Sequence, residues 1–164
     1  MTYRTPLLAA AIAFALTGCS PESAEDGAGA PVGEATRAAS QVRQALTSED
    51  IESAALTGEL ACAFSEPGTP AALLVAMADV TDDDRAEGVL RLGASTLRLR
   101  AEELGGFNAM VRGARFTSGD LEARVIVTSD TPTAGGESPP LPARLEIVAD
   151  AGSQRIAGEW ACGP

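Results

Sequence analysis

The sequence predicts an all-β domain: a small antiparallel β-sandwich or closed β-barrel of about eight strands, with room for one short N-terminal helix. Three observations point there. From residue 51 onward, apolar residues recur at every second position in short runs. Turns rich in Gly, Pro and Asp separate those runs. Finally, Gly-Glu-x-Ala-Cys is written twice, at 58–62 and at 158–162, in the first and last of the runs.

Residues 35–47 place Ala35, Ala38, Ala39, Val42, Ala45 and Leu46 at helical spacing and predict a short helix with a thin apolar face. Thr47 to Asp50 reads as turn or cap. From Ile51 the period becomes two, and Leu56, Leu60, Cys62 and Phe64 share one face of the first strand. Residues 71–80 are almost wholly apolar, the pattern of a strand covered on both sides. After the polar turn 81–88 come two strands around Gly93, the second with Leu97 and Leu99 inward and Arg98 and Arg100 outward. Residues 102–113 lack a period and read as a loop with a single helical turn. A hairpin follows around Ser118-Gly119-Asp120, with Leu121, Ala123, Val125 and Val127 on one face. Residues 129–142 form a long Pro/Gly loop, and a last strand pair turns around Gly152. Its inward residues are Leu145 and Ile147, then Ile156, Trp160 and Cys162.

Ahead of this domain, Pro6 to Leu16 is an apolar run behind the single charge of Arg4. It is shorter than the about 20 residues that cross a bilayer, and has the flanks of a secretory signal. The run ends in Leu16-Thr17-Gly18-Cys19, which resembles the lipobox of bacterial lipoproteins. The resemblance implies cleavage before Cys19, acylation of its thiol and new amino group, and attachment to the membrane through lipid. Ser20 stands where that family's inner-membrane signal has aspartate, which implies the outer membrane, facing the periplasm. The expected organisation is a signal peptide over 1–18, an anchor and tether over 19–48 and the β domain over 49–164. Residues 21–35 are too poor in apolar side chains to fold alone. As a flexible chain, the stretch from Cys19 to Ala35 reaches roughly 20–24 Å.

The full chain has 12 basic and 23 acidic residues, a net charge of −11, and no histidine. Loss of Arg4 with the signal takes this to −12. Such acidity is unsuited to nucleic acid and suits a basic protein partner. Without His or Lys, Ser-His-Asp and Cys-His couples, histidine-containing zinc sites, Schiff bases and P-loops are excluded. Phe64, Phe107, Phe116 and Trp160 are the aromatics after the signal, too few for a stacking platform. No catalytic set, metal or cofactor is expected.

With Cys19 assigned to lipid, Cys62 and Cys162 remain in a chain routed to an oxidising space. A disulfide between them would tie the first strand to the last; two free thiols or a shared metal are the alternatives. The glycines of the two pentapeptides would let a bulky neighbour, the Trp160 indole, lie close to backbone. Three side-chain groups are candidate sites. The acids Asp79, Asp82, Asp83, Asp84 and Glu87 lack the pattern of an EF-hand and read as a solvated turn. Glu102 and Glu103 are adjacent, which on a strand sends them to opposite sides. Arg98, Arg100, Arg112, Arg115 and Arg124 suggest an anion-binding face or partners for the surrounding acids.

Residues 112–120, RGARFTSGD, resemble the Ser-Gly-x-x-Tyr-type segment of membrane-bound inhibitors of c-type lysozyme. Gly113, Ala114, Arg115, Phe116, Gly119 and Asp120 occupy the corresponding positions, with Phe116 in place of the motif's tyrosine and Arg112 in place of its serine. That family's properties imply a lipoprotein with a small antiparallel barrel and a disulfide, inhibiting a basic hydrolase. The expected function is therefore a non-catalytic, lipid-anchored envelope protein that binds or supports another component, with hydrolase inhibition as the alternative.

Overall fold

Chain neighbours pair antiparallel all the way round, and the last strand returns to the first. A computed structural model describes residues 44–150 and 152–164. Its strands are β1 (Leu60–Ser65), β2 (Ala72–Ala78), β3 (Glu87–Leu92), β4 (Ser95–Ala101), β5 (Arg115–Ser118), β6 (Leu121–Val127), β7 (Leu141–Ala149) and β8 (Gly152–Gly163). They form a closed barrel in sequence order. Of the two architectures the sequence allows, the barrel is the one formed. The reason is the seam, where β1 and β8 align Cys62 with Cys162 and Phe64 with Trp160. Among the described residues two helices accompany the barrel, α1 (Ser48–Ala54) and α2 (Gly106–Met110).

The alternation of directions makes the two ends unlike. One end carries the connections at 66–71, 93–94 and 119–120 and the junction of β7 with β8; it is the turn end. The other carries 79–86, 102–114 and 128–140; it is the loop end. The chain arrives at the turn end, where the Leu46 amide donates to the Ala72 carbonyl (2.8 Å).

Period-two alternation sends the large apolar side chains inside. Phe64, Phe116 and Trp160 are the largest wholly buried side chains, joined by Leu74, Leu90, Leu99 and Leu145. Small residues make room for them: Phe116 sits between Ala101 and Ala123 on its neighbouring strands. Gly158 faces inward, and a Cβ there would collide with the Phe64 ring and the Ser65 carbonyl. The bulky neighbour of that glycine is thus Phe64, because Trp160, two residues along the same strand, turns its indole elsewhere. Trp160 Nε1 donates to the Met110 carbonyl at 3.0 Å, fastening α2 over the loop end. Gly58 lies instead against the Ala78 backbone.

The β2 strand is covered on both faces, as its composition predicts. Leu74, Ala76 and Ala78 belong to the interior, while Val75 joins Leu46 and Val89 in a smaller outer cluster under Ile51, Ala54 and Leu56. The expected strand from Ile51 does not form; residues 48–54 are α1, and β1 starts at Leu60. The predicted helix over 35–47 falls almost entirely outside the described residues, and 44–47 are not helical. The physical reason lies in Thr47. Its hydroxyl accepts from the Asp50 amide while Asp50 accepts from the Thr47 amide, a reciprocal cap. Leu46 and Ile51 flank that cap as an apolar clasp. Leu56, expected to face the core, packs outside with them.

Asp50 also ties α1 to the barrel. It accepts from the Thr96 hydroxyl (2.6 Å) and from Arg91 Nη1 (3.3 Å). The Thr96 hydroxyl, then the amide and hydroxyl of Thr47, stabilise its ionised form and lower its pKa from 3.8 to about 2.

Three outcomes follow from this packing. Reduction of Cys62–Cys162 removes a constraint on a loop spanning 100 residues. It should lower stability by up to ~4.7 kcal/mol, read as a fall in melting temperature; an unchanged melt would show that the seam holds without sulfur. Gly158→Ala should destabilise by about 1–3 kcal/mol through overpacking against Phe64, measured by urea unfolding. Asp50→Asn should be less stable than the parent at neutral pH. Because the folded carboxyl titrates below the unfolded one, that difference should persist above about pH 4 and vanish as pH falls through about 2. A difference independent of pH would remove the carboxylate from the explanation.

Candidate functional site

The two cysteines meet as the sequence predicts. Their strands align them directly, and the sulfurs stand at bonding distance, 2.07 Å. Cys62 is buried; Cys162 is half-buried and packs against the interior. Outside the bond, Ala61, Ala63, Ala161 and Gly163 leave a shallow apolar depression of about 240 Å³ with Ser138 of the long loop at its edge. Cys19 lies outside the described residues.

The acids of the 79–87 turn divide by task. Asp79 accepts from the Glu59 amide (2.9 Å), and Glu87 accepts from the amide and hydroxyl of Thr57 (3.0 and 2.8 Å) and from Arg98. Partial burial opposes ionisation of Glu87, but the bonds from Arg98 and Thr57 outweigh it and lower its pKa. These two acids therefore fasten the chain before β1 to β2 and β3. Among the described residues, no group of three or more Cys, Asp or Glu side chains is placed to hold a metal ion.

Glu102 and Glu103 open onto a cleft of about 280 Å³ on the outer wall, where β5 gives way to the 102–114 segment. Arg112, Arg115 and Arg124 line the same cleft. Arg115 and Arg124 stand directly opposite each other on β5 and β6. Such like charges repel, and Arg115 is neutralised by Glu102 (3.4 Å) and Glu122 (3.3 Å). Arg112 pairs with Asp130, and Arg98 with Glu87. Three of the five arginines of the candidate anion-binding face, Arg98, Arg112 and Arg115, are thus spent on nearby acids. Among the described residues, Arg100 and Arg124 have no ion pair.

The segment 112–120 forms the end of the α2 connection, β5 and its turn. Phe116 is wholly buried in the barrel, whereas Gly119 and Asp120 are exposed at the turn end. Sequence reasoning did not single out the tip of the loop end. There the 79–84 and 102–107 segments are bonded together: the amides of Gly105 and Gly106 donate to the Asp84 carbonyl (3.0 and 3.1 Å), and that of Phe107 to the Asp79 carbonyl (2.9 Å). Val80 and Leu104 project from this joined pair, 62% and 54% exposed. The available signal was an apolar residue placed beside acids, Asp79-Val80 and Glu103-Leu104.

The chemistry this surface offers is recognition through charge and apolar contact. Comparison of the chain with protein-family models, with curated proteins and with solved structures finds no match.

Proposed function

We propose that the chain is a non-catalytic, lipid-anchored protein of the cell envelope whose barrel binds or supports another envelope component. The observation that carries this reading is Leu16-Thr17-Gly18-Cys19 directly behind a short apolar run. A Cys62–Cys162 bond suits the oxidising side of a membrane. The barrel's polarity supports attachment by lipid rather than by spanning. Its interior is apolar, and its outer wall carries Arg98, Arg100, Arg124, Glu146 and Arg155, the inverse of a membrane-spanning barrel. An interior filled by Phe64, Phe116 and Trp160 leaves the outer surface as the place to bind. On this reading the tether holds the barrel beyond the headgroups, on the periplasmic face of the outer membrane, where its negative charge favours a basic protein.

A second reading, inhibition of a basic hydrolase such as c-type lysozyme, is favoured by the closed, disulfide-tied barrel and by the acidity. With Phe116 buried, the contact would fall to the exposed Gly119-Asp120 turn.

Labelled palmitate should enter the wild-type chain and not Cys19→Ala, and the variant should leave the membrane fraction. Equal membrane retention without label would defeat the anchor. Inhibition of c-type lysozyme by the purified chain, lost in Asp120→Ala, would select the second reading.

A further inference from the structure

We infer that the loop end of the barrel is a docking surface for a basic protein segment bearing apolar side chains, which covers Val80 and Leu104. This deepens the binding-module reading and rests on it, but not on the lipid anchor.

Among the described residues three large apolar side chains are strongly exposed, Val80, Leu104 and Val148. The first two belong to connections that the antiparallel order brings to the same end. Those connections are bonded to each other through Asp84 and Asp79, and Gly106 has no room for a Cβ against the Asp79 and Thr81 backbone. Beneath them Met110 is buried, with its carbonyl held by the Trp160 indole. The apolar pair therefore stands on a supported platform. A surface already held in its bound shape loses little conformational entropy on association.

Charge selects the occupant. Asp82, Asp83 and Glu103 flank the apolar pair, and none has a counter-ion among the described residues. A cationic partner would neutralise them as its apolar side chains cover Val80 and Leu104. A second copy would bring the same carboxylates into opposition, which disfavours self-association. An anionic bilayer is repelled for the same reason, and the chain enters at the opposite end, through Leu46 and Ala72. The platform and residue 46 thus stand at opposite ends of the barrel.

The test uses the chain from residue 19 with Cys19→Ser, so that acylation plays no part. The probe is an amphipathic helical Lys/Leu peptide. A Lys/Ser peptide of equal charge and a Glu/Leu peptide are controls. The Lys/Leu peptide should bind, more weakly as salt rises, and Val80→Ser with Leu104→Ser should weaken binding at least about tenfold. Asp82→Asn with Asp83→Asn should weaken it too, whereas Val148→Ser at the turn end should not. Unchanged melting of these surface variants confirms that the fold persists. Absence of Lys/Leu binding, equal binding of the Glu/Leu peptide, or binding that survives loss of Val80 and Leu104 overturns the proposal. So does self-association, or adhesion to phosphatidylcholine vesicles, that depends on those two residues. Peptide binding that survives their loss would leave a binding module elsewhere on the wall. Failure of Cys19 to take up lipid would leave the docking result unchanged.

Discussion

In a barrel whose strands follow one another in order, seven of the eight pairings join chain neighbours across connections of at most 13 residues. The eighth, β1 to β8, joins residues 100 apart, Cys62 and Cys162 among them. Loop-closure entropy makes that pairing the costly one. Its rewards are concentrated in a few residues. Phe64 meets Trp160 across it, the disulfide lies two positions away, and Gly158 leaves space for the Phe64 ring. Without the seam, Trp160 keeps Leu141 on β7 but loses Phe64, and the indole that holds α2 is supported from one side alone. The filled interior and the closed loop end both depend on it.

Closure also decides where chemistry can occur. Eight short strands around three aromatic side chains leave the described interior with no buried polar or charged residue. Ion pairs and capping bonds are displaced to the outer wall, where solvent screens most of them. Asp50 is the acid on that wall with the most marked structural task, because four donors from Thr47, Thr96 and Arg91 converge on it and hold α1 against the β3–β4 hairpin. The two ends then differ in kind. The turn end is made of tight connections, whereas the loop end gathers long connections around α2 and presents apolar and acidic groups together.

Much of this was legible because strand patterning is a local property. Leu97 and Leu99 against Arg98 and Arg100, or Leu121, Ala123 and Val125 along β6, declare an inner and an outer face whatever the partner strand is. The misreading at 51–56 has an equally local cause. Ile51, Ala54 and Leu56 fit a short amphipathic helix and its exit as well as a strand, and the cap at Thr47 and Asp50 decides between them. That cap was recognisable, but its partners Thr96 and Arg91 lie more than forty residues away and leave no trace near it.

The sequence by itself determined most of the strand inventory, the inward set from Leu60 onward and the exclusion of histidine- and lysine-dependent chemistry, and it left a bond between Cys62 and Cys162 as one of three readings. Those are matters of residue type and spacing, which a linear text records. Only the tertiary structure decided between sandwich and barrel, gave Gly158 to Phe64 rather than to Trp160, and brought Val80 and Leu104 to one end of the molecule. Each of these depends on which distant segments share space, and that follows from a strand pairing across 100 residues rather than from any single stretch of chain.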